Sequence, residues 1–225
     1  MEQNLSRILT EAAGAMGIIL GEREKNLFSL YHRELLFWNK KINLVSVKSS
    51  DEITIKHFGD SLTPFPFIEK KEGKVLDIGT GAGFPGIPLK IAINSLKIFL
   101  LESSRKKASF LKHIIRTLNL EETTVIHERA ERAMEREIYR HAFDVVISRA
   151  TLKLPQFLSM GAFFLSRNGI LIAMKGPNIR GEELTDSAAI SEELGMKCVG
   201  CHDFRLPITG DLRKIIIYKR ACNYS

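Results

Sequence analysis

The chain has 225 residues, 44% hydrophobic and 26% charged, which predicts a folded, soluble protein with one large domain, or one domain with an appendage. Its longest apolar runs, such as Ile170 to Met174, are too short to cross a bilayer, and Met1 to Thr10 has neither the basic start nor the apolar core of a signal peptide, so a cytoplasmic location is expected. The net charge is +7, and residues 1–72 carry ten Lys/Arg against ten Asp/Glu while the rest carry twenty-three against sixteen, so an anionic partner would meet the larger part.

Leu5, Ile8, Leu9, Ala12, Met16 and Ile19 fall at helical spacing, and a second stripe follows Gly21 at Leu27, Leu30, Tyr31, Leu35 and Trp38. Ser49 and Glu52 have the spacing of a capping box, which would open a third helix through His57 and Phe58. Residues 1–72 are thus expected to form a helical appendage, joined through the charged link Glu69 to Gly73 to a domain spanning 73–225.

Beyond Gly73 the pattern alternates. Strands are predicted at 74–78, 97–101, 123–126, 143–147, 169–174, 197–203 and 214–219, with helices at 87–93, 105–118, 130–136, 155–165 and 182–194. Strands this apolar between amphipathic helices imply an α/β fold with a mainly parallel sheet covered on both faces. Cys198, Cys201 and His202 match the C-x-x-C-H pattern of haem attachment, but no export signal accompanies them and no second Cys/His pair stands at zinc spacing. In a strand, residues three apart also point to opposite faces, so ordinary reduced cysteines and no metal site are expected.

In such sheets the ligand sits beyond the carboxyl ends of the strands, where strand order reverses. The residues there are 79–84, 102–104, 128–131, 148–150 and 175–177. The first group lies in VLDIGTGAGFPGIP, Val75 to Pro88, with glycine at 79, 81, 83 and 86. Glycines at this density let the backbone take positive φ and let a ligand approach where a Cβ would collide. Gly81 to Gly86 satisfies G-x-G-x-x-G, and Glu102 follows Gly81 by 21 residues, as in dinucleotide folds. Asp77 points elsewhere. Its carboxylate beside the glycine turn would repel a pyrophosphate but attract the ammonium and sulfonium of S-adenosylmethionine (AdoMet). On this reading Gly79 and Gly81 lie along the methionine portion, Asp77 meets its amino group or the loop's own amides, and Glu102 meets the ribose hydroxyls.

DIGTGAGFPGIPLKIA, with WNKKINLVSV and IKHFGDSL upstream and ESSRKKASFLKHI, HERAE, FDVVISRA, MKGP and LPITGDLRKIIIYKR downstream, resembles the bacterial 16S rRNA guanine-N7 methyltransferase G family, also called glucose-inhibited division protein B. The resemblance runs from Trp38 to Arg220, with departures from the family pattern at Val45, Gly59 and Glu102 that remove no required functional group. It implies a class I AdoMet-dependent methyltransferase fold, Rossmann-like, with a seven-stranded mostly parallel sheet whose last strand is antiparallel. It also implies methyl transfer to N7 of a guanine in the 16S rRNA loop beside the decoding site. The AdoMet contacts that it implies are Gly79, Phe84, Ala130, Glu131 and Arg149, with Glu102, Ser103 and Ser104 near the ribose. The implied partner is 16S rRNA or the small ribosomal subunit, with no membrane and no obligate protein partner evident.

N7 of guanine already carries an in-plane lone pair, so this transfer needs no general base and rests on positioning. Arg149 is the expected catalytic residue, approaching O6 and bridging cofactor and base. Lys175 is either an RNA-phosphate contact or a solvated strand end. Trp38, Asn39, Lys41, Asn43, His57 and Asp60 resemble family positions and are expected to close one wall of the site or to orient the RNA; among them Trp38 reads more readily as a core aromatic and His57 as a structural histidine than as a base. Two other function classes fit parts of the chain. An NAD-dependent oxidoreductase would need a Tyr-Lys, Ser or His catalytic set that is not found, and a non-catalytic RNA-binding assembly factor would not need the intact acids and glycines.

Overall fold

The computed structural model describes residues 2–46, 50–149, 151–179, 181–207 and 209–221. Helices α1 (Glu2–Gly14) and α2 (Glu22–Ile42) open the chain. The first ends earlier than its apolar stripe suggests. Gly17 takes φ 72°, and the amides of Gly17 and Ile18 bond back to Gly14 O and Ala13 O, a glycine C-cap that leaves Ile19 97% exposed rather than on the helix face. A short helix α3 (Ser50–Ile53) runs through a π-helical stretch, Thr54–Gly59, into α4 (Asp60–Leu62). Ser49, the expected cap of this segment, lies outside the described residues.

The seven strands are β1 (Lys74–Ile78), β2 (Lys97–Leu101), β3 (Thr123–Ile126), β4 (Phe143–Arg149), β5 (Leu165–Lys175), β6 (Met196–Arg205) and β7 (Leu212–Arg220). Between them lie α5 (Gly86–Ala92), α6 (Arg105–Thr117), α7 (Ala130–Ala133), α8 (Leu154–Phe164) and α9 (Gly181–Glu193). The sheet order is β3-β2-β1-β4-β5-β7-β6. All pairs are parallel except those of β7, which runs antiparallel to both β5 and β6. Strand order reverses between β1 and β4, and there a ligand crevice is expected.

Side chains alternate across the sheet into two cores. Val75, Val145, Ile147, Ile172 and Ile215 pack with Leu9, Phe28, Tyr31, Phe58, Ile87 and Phe110, so α1, α2 and the π segment share one core with α5 and α6. Leu76, Val146, Leu171 and Ile216 pack on the other face with Ala133, Phe157 and Leu158 of α7 and α8.

The cysteine geometry differs from expectation. A bulge between Cys198 and Gly200 sets Cys198 opposite Tyr218 and Cys201 opposite Ile216. Those partners are two apart on β7, so the extra residue brings both thiols to one face although they are three apart in sequence. His202 pairs with Ile215 instead, and its ring lies 4.6 Å from that of Phe67.

Candidate active site

The carboxyl ends of β1, β2 and β4 open into one cavity of about 690 Å³, a volume suited to a nucleoside-sized ligand. Its floor is the glycine loop. Gly79 and Gly81 take φ 70° and 63°, and the amides of Gly79 and Thr80 both donate to Leu101 O, which pins the loop to the end of β2. A Cβ on Gly79 would lie 2.6 Å from the Thr151 methyl, whereas one on Gly81 would meet nothing within 4 Å. Gly81 therefore faces open space on the cavity wall.

Asp77 lies beneath this loop, fully buried, and does not line the cavity. Its Oδ2 accepts from Thr80 Oγ1 at 2.6 Å and from the Gly86 amide at 2.9 Å, while Oδ1 is buried without a hydrogen-bond partner among the described residues. Burial pushes this carboxyl up to about 6, against the opposing pull of those two bonds. Of the two roles the sequence allowed, holding the loop's own groups is the one this geometry displays.

Glu102 does line the cavity. Its Oε2 accepts from the Gly81 amide at 3.0 Å and its Oε1 from the Ser104 amide at 2.7 Å, tying the glycine loop to the start of α6. Each carboxylate oxygen keeps a lone pair for another donor, such as a ribose hydroxyl. The same contact also argues against a dinucleotide, whose pyrophosphate would need the loop amide that Glu102 already occupies. Phe84, Ser103, Ser104, Ala130, Glu131 and Arg149 line the same cavity, so nine of the ten expected cofactor residues meet at one place and Asp77 supports them from below.

Arg149, at the end of β4, reaches across to the helical segment. Its Nη1 donates to Lys56 O at 3.0 Å and to Asp60 Oδ2 at 3.2 Å, its Nη2 bonds to His57 Nδ1 at 3.0 Å, and the guanidinium sits 5.0 Å from the Phe84 ring centre. A guanidinium can only donate, so Nδ1 of His57 is the acceptor and its proton resides on Nε2. Burial first, and Arg149 second, push His57 down to about 3, which keeps it neutral. His57 also stacks on Phe84, with ring centres 5.0 Å apart. Trp38 packs against Phe110 at 5.7 Å, at the junction of α2 and α6. Lys175 is not a solvated end: its Nζ donates to Leu152 O at 2.6 Å and pairs with Glu183 Oε1 at 2.8 Å.

Three contributors were not legible as site residues. Tyr31 donates its hydroxyl to Ala82 O at 2.5 Å, clamping the glycine loop from α2, but a tyrosine in a helical apolar stripe reads only as core. Thr151, whose Oγ1 donates to Gly79 O at 3.0 Å, stands one residue past the strand-end window; Ala150 between them lies outside the described residues. Arg213 pairs with Asp60 Oδ2 at 3.3 Å. It is the second residue of β7, ahead of the predicted start at 214, and because β7 is antiparallel its first residues lie with the carboxyl ends of the other strands.

Residues 24–203 match the family described as rRNA small subunit methyltransferase G. The chain belongs to this family. A ribosomal RNA small subunit methyltransferase G from Syntrophus aciditrophicus is 48% identical over 216 residues, covering 96% of this chain and 89% of that protein. The protein of the same name from Bacillus subtilis is 33% identical over 215 residues, covering 95% and 90%. Among solved structures, M. jannaschii TYW2 in complex with AdoMet superposes with a TM-score of 0.54 at 17% identity, covering 68% of this chain and 72% of that one. A SAM-dependent methyltransferase from Aquifex aeolicus gives 0.54 at 16%, covering 71% and 90%. At those identities the likeness is one of fold, and it is the AdoMet-dependent methyltransferase fold. The methyltransferase G cavity thus sits where that fold's strand order reverses, and its glycine floor, Glu102 and volume fit AdoMet.

Proposed function

We propose that this protein transfers the methyl group of AdoMet to N7 of a guanine in 16S rRNA, in the cytoplasm, on the small ribosomal subunit or its RNA. The observation that carries the reading is the pairing of two walls around one cavity. The glycine loop with Glu102 forms one, and Arg149 with the neutral His57 forms the other. When bound, AdoMet supplies an electrophilic methyl group. Glu102 holds the ribose hydroxyls, Ser103, Ser104, Ala130 and Glu131 flank the nucleoside, and the backbone of Gly79 and Gly81 runs beside the methionine portion. Phe84 and Arg149 close the side on which the acceptor enters. The part before residue 73 is a helical appendage to the cofactor domain 73–225 that contributes His57 and Asp60 to that acceptor side.

No proton has to be removed from N7 before attack. A site whose histidine is neutral, with a pKa of about 3, is chemically sufficient. What the residues provide is alignment of nucleophile, methyl carbon and sulfur, an effect able to supply roughly 7 to 11 kcal/mol of a barrier. The guanine must be unstacked or already in a loop for its Hoogsteen edge to reach the cavity. Arginine approaching O6 leaves N7 free for the methyl group.

The test is transfer of labelled methyl from AdoMet to 16S rRNA and to small subunits from cells lacking the homologous enzyme, followed by chemical mapping of N7-methylguanine. One modified guanine is expected. Label in another base or atom, or none in either substrate, would overturn the reading.

A further inference from the structure

A second cavity of about 390 Å³ adjoins the first and shares Ser46, His57 and Arg149 with it. Its wall includes Asp60, 5% exposed, whose two carboxylate oxygens are used unequally. Oδ2 takes both Arg149 Nη1 at 3.2 Å and Arg213 Nε at 3.3 Å, while Oδ1 is buried without a hydrogen-bond partner among the described residues. A buried carboxylate oxygen with no donor is unfavourable, and a ligand's N–H would relieve it. The lysines of this cavity are each already paired, Lys56 with Glu52, Lys175 with Glu183 and Lys214 with Asp203. The vacant capacity is therefore that of an acceptor, which suits a nucleobase edge bearing N–H groups better than a phosphate.

We propose that Asp60 is the residue that selects guanine, accepting hydrogen bonds from its N1–H and its exocyclic N2 amine; this rests on the N7 reading above. Around a guanine the atoms N7, O6, N1 and N2 follow one another along one continuous edge. The wall offers a matching sequence. Phe84 borders the first cavity, Arg149 lies 5.0 Å over the Phe84 ring, and Arg149 in turn touches Asp60. N7 then faces the cofactor cavity, O6 the guanidinium, and the two N–H groups the carboxylate. Adenine in the same place would turn its amino group to Arg149 and its N1 lone pair to Asp60, so that both contacts would be repulsive. Arg213, together with Arg149, holds Oδ2 and so fixes which carboxylate oxygen is left for the base.

The experiment compares single-turnover kcat/KM on small subunits reconstituted with 16S rRNA bearing either guanine or inosine at the methylated position. Inosine keeps N7, O6 and N1–H and lacks only the N2 amine. The wild-type protein is expected to prefer guanine by roughly 10- to 100-fold, the range for a hydrogen bond to a charged group. In Asp60→Asn the side-chain oxygen turns to the two arginines and the NH2 meets the base's own donors. The guanine rate should then fall and the preference should vanish or invert. If Asp60 were merely structural, both rates would fall together with their ratio unchanged, and that result would overturn the proposal. Equal rates for guanine and inosine with the wild-type protein would overturn it without any variant, which covers the case of an Asp60→Asn protein that does not fold. No transfer to the guanine subunit at all would be failure of the N7 reading itself, a distinct result.

Discussion

Asp77, fully buried, and His57, half-buried and stacked on Phe84, titrate in opposite senses. Asp77 is raised from 3.8 to about 6, so its contribution to stability is fully present below 3.8 and is lost as pH rises through 6. Such a carboxyl is on the order of 3 kcal/mol easier to bury protonated than ionised. His57 is lowered from 6.5 to about 3, so its contribution is present above 6.5 and is lost as pH falls toward 3. The two slopes oppose each other across the shared window. Relative to the wild-type protein, Asp77→Asn should gain stability as pH rises from about 4 to 6, and His57→Gln should lose it over the same range. Urea melts at fixed pH steps measure both differences, and a shared sign would refute the assignment. Arg149 makes a further test. One ammonium cannot replace contacts to Lys56 O, Asp60 and His57 together, so Arg149→Lys should lower kcat/KM for methyl transfer on the order of 100-fold while AdoMet affinity changes much less. A variant with near wild-type transfer would remove Arg149 from the acceptor side.

Between elements, the contact on which the cofactor floor depends is the one from α2 to the glycine loop. Tyr31 is buried, and its hydroxyl bonds to Ala82 O with Phe84, Phe58 and Phe110 around its ring. Tyr31→Phe leaves that buried carbonyl unpaired at a cost of ~1–3 kcal/mol. A lower melting temperature and weaker AdoMet binding should appear together in calorimetry; a drop in stability with unchanged affinity would separate the clamp from the site. Elements of this kind were unequally legible. Strands β1, β2 and β3 have their predicted bounds, the first two because buried parallel strands carry little besides apolar residues. Strands β6 and β7 extend beyond their predicted ends, since the antiparallel pairing of Leu212 with Arg205, and of Met196 with Arg220, continues into polar residues that backbone hydrogen bonds hold without a hydrophobic signal, and β5 starts earlier because Leu165 pairs with Phe143 across an irregular register that the polar run Ser166 to Asn168 conceals. The π-helical turn at Thr54–Gly59 was not foreseen, because apolar periodicity does not distinguish it from an α-helix. It nonetheless carries His57 and leads directly into Asp60.

For the molecule as a whole, the expected cofactor residues could be grouped from the sequence because they stand at or just past the ends of strands of recognisable type, whereas on the acceptor side Arg149, His57 and Asp60 were named singly but their convergence with Arg213 was not legible, because it joins separate stretches that meet only on folding. Asp60, Arg149 and Arg213 converge from the helical segment, β4 and β7. The shared core has a thermodynamic consequence. Leu9, Phe28, Tyr31 and Phe58 pack in the cluster that also holds Ile87, Leu100 and Phe110, so the appendage proposed for residues 1–72 should not melt separately from the rest. Trp38, the single tryptophan, lies at the junction of α2 with α6, so its fluorescence and far-ultraviolet dichroism should report one coincident urea transition. Two resolved transitions would mean that the appendage folds by itself. Calorimetric titration of AdoMet and of NAD into the wild-type protein and Glu102→Ala tests whether the cavity between the glycine loop, Glu102 and Arg149 holds AdoMet. AdoMet should bind the wild-type protein, Glu102→Ala should weaken that binding by at least about tenfold, and NAD should give no binding heat. Binding of NAD without AdoMet, or AdoMet affinity indifferent to Glu102, would contradict it.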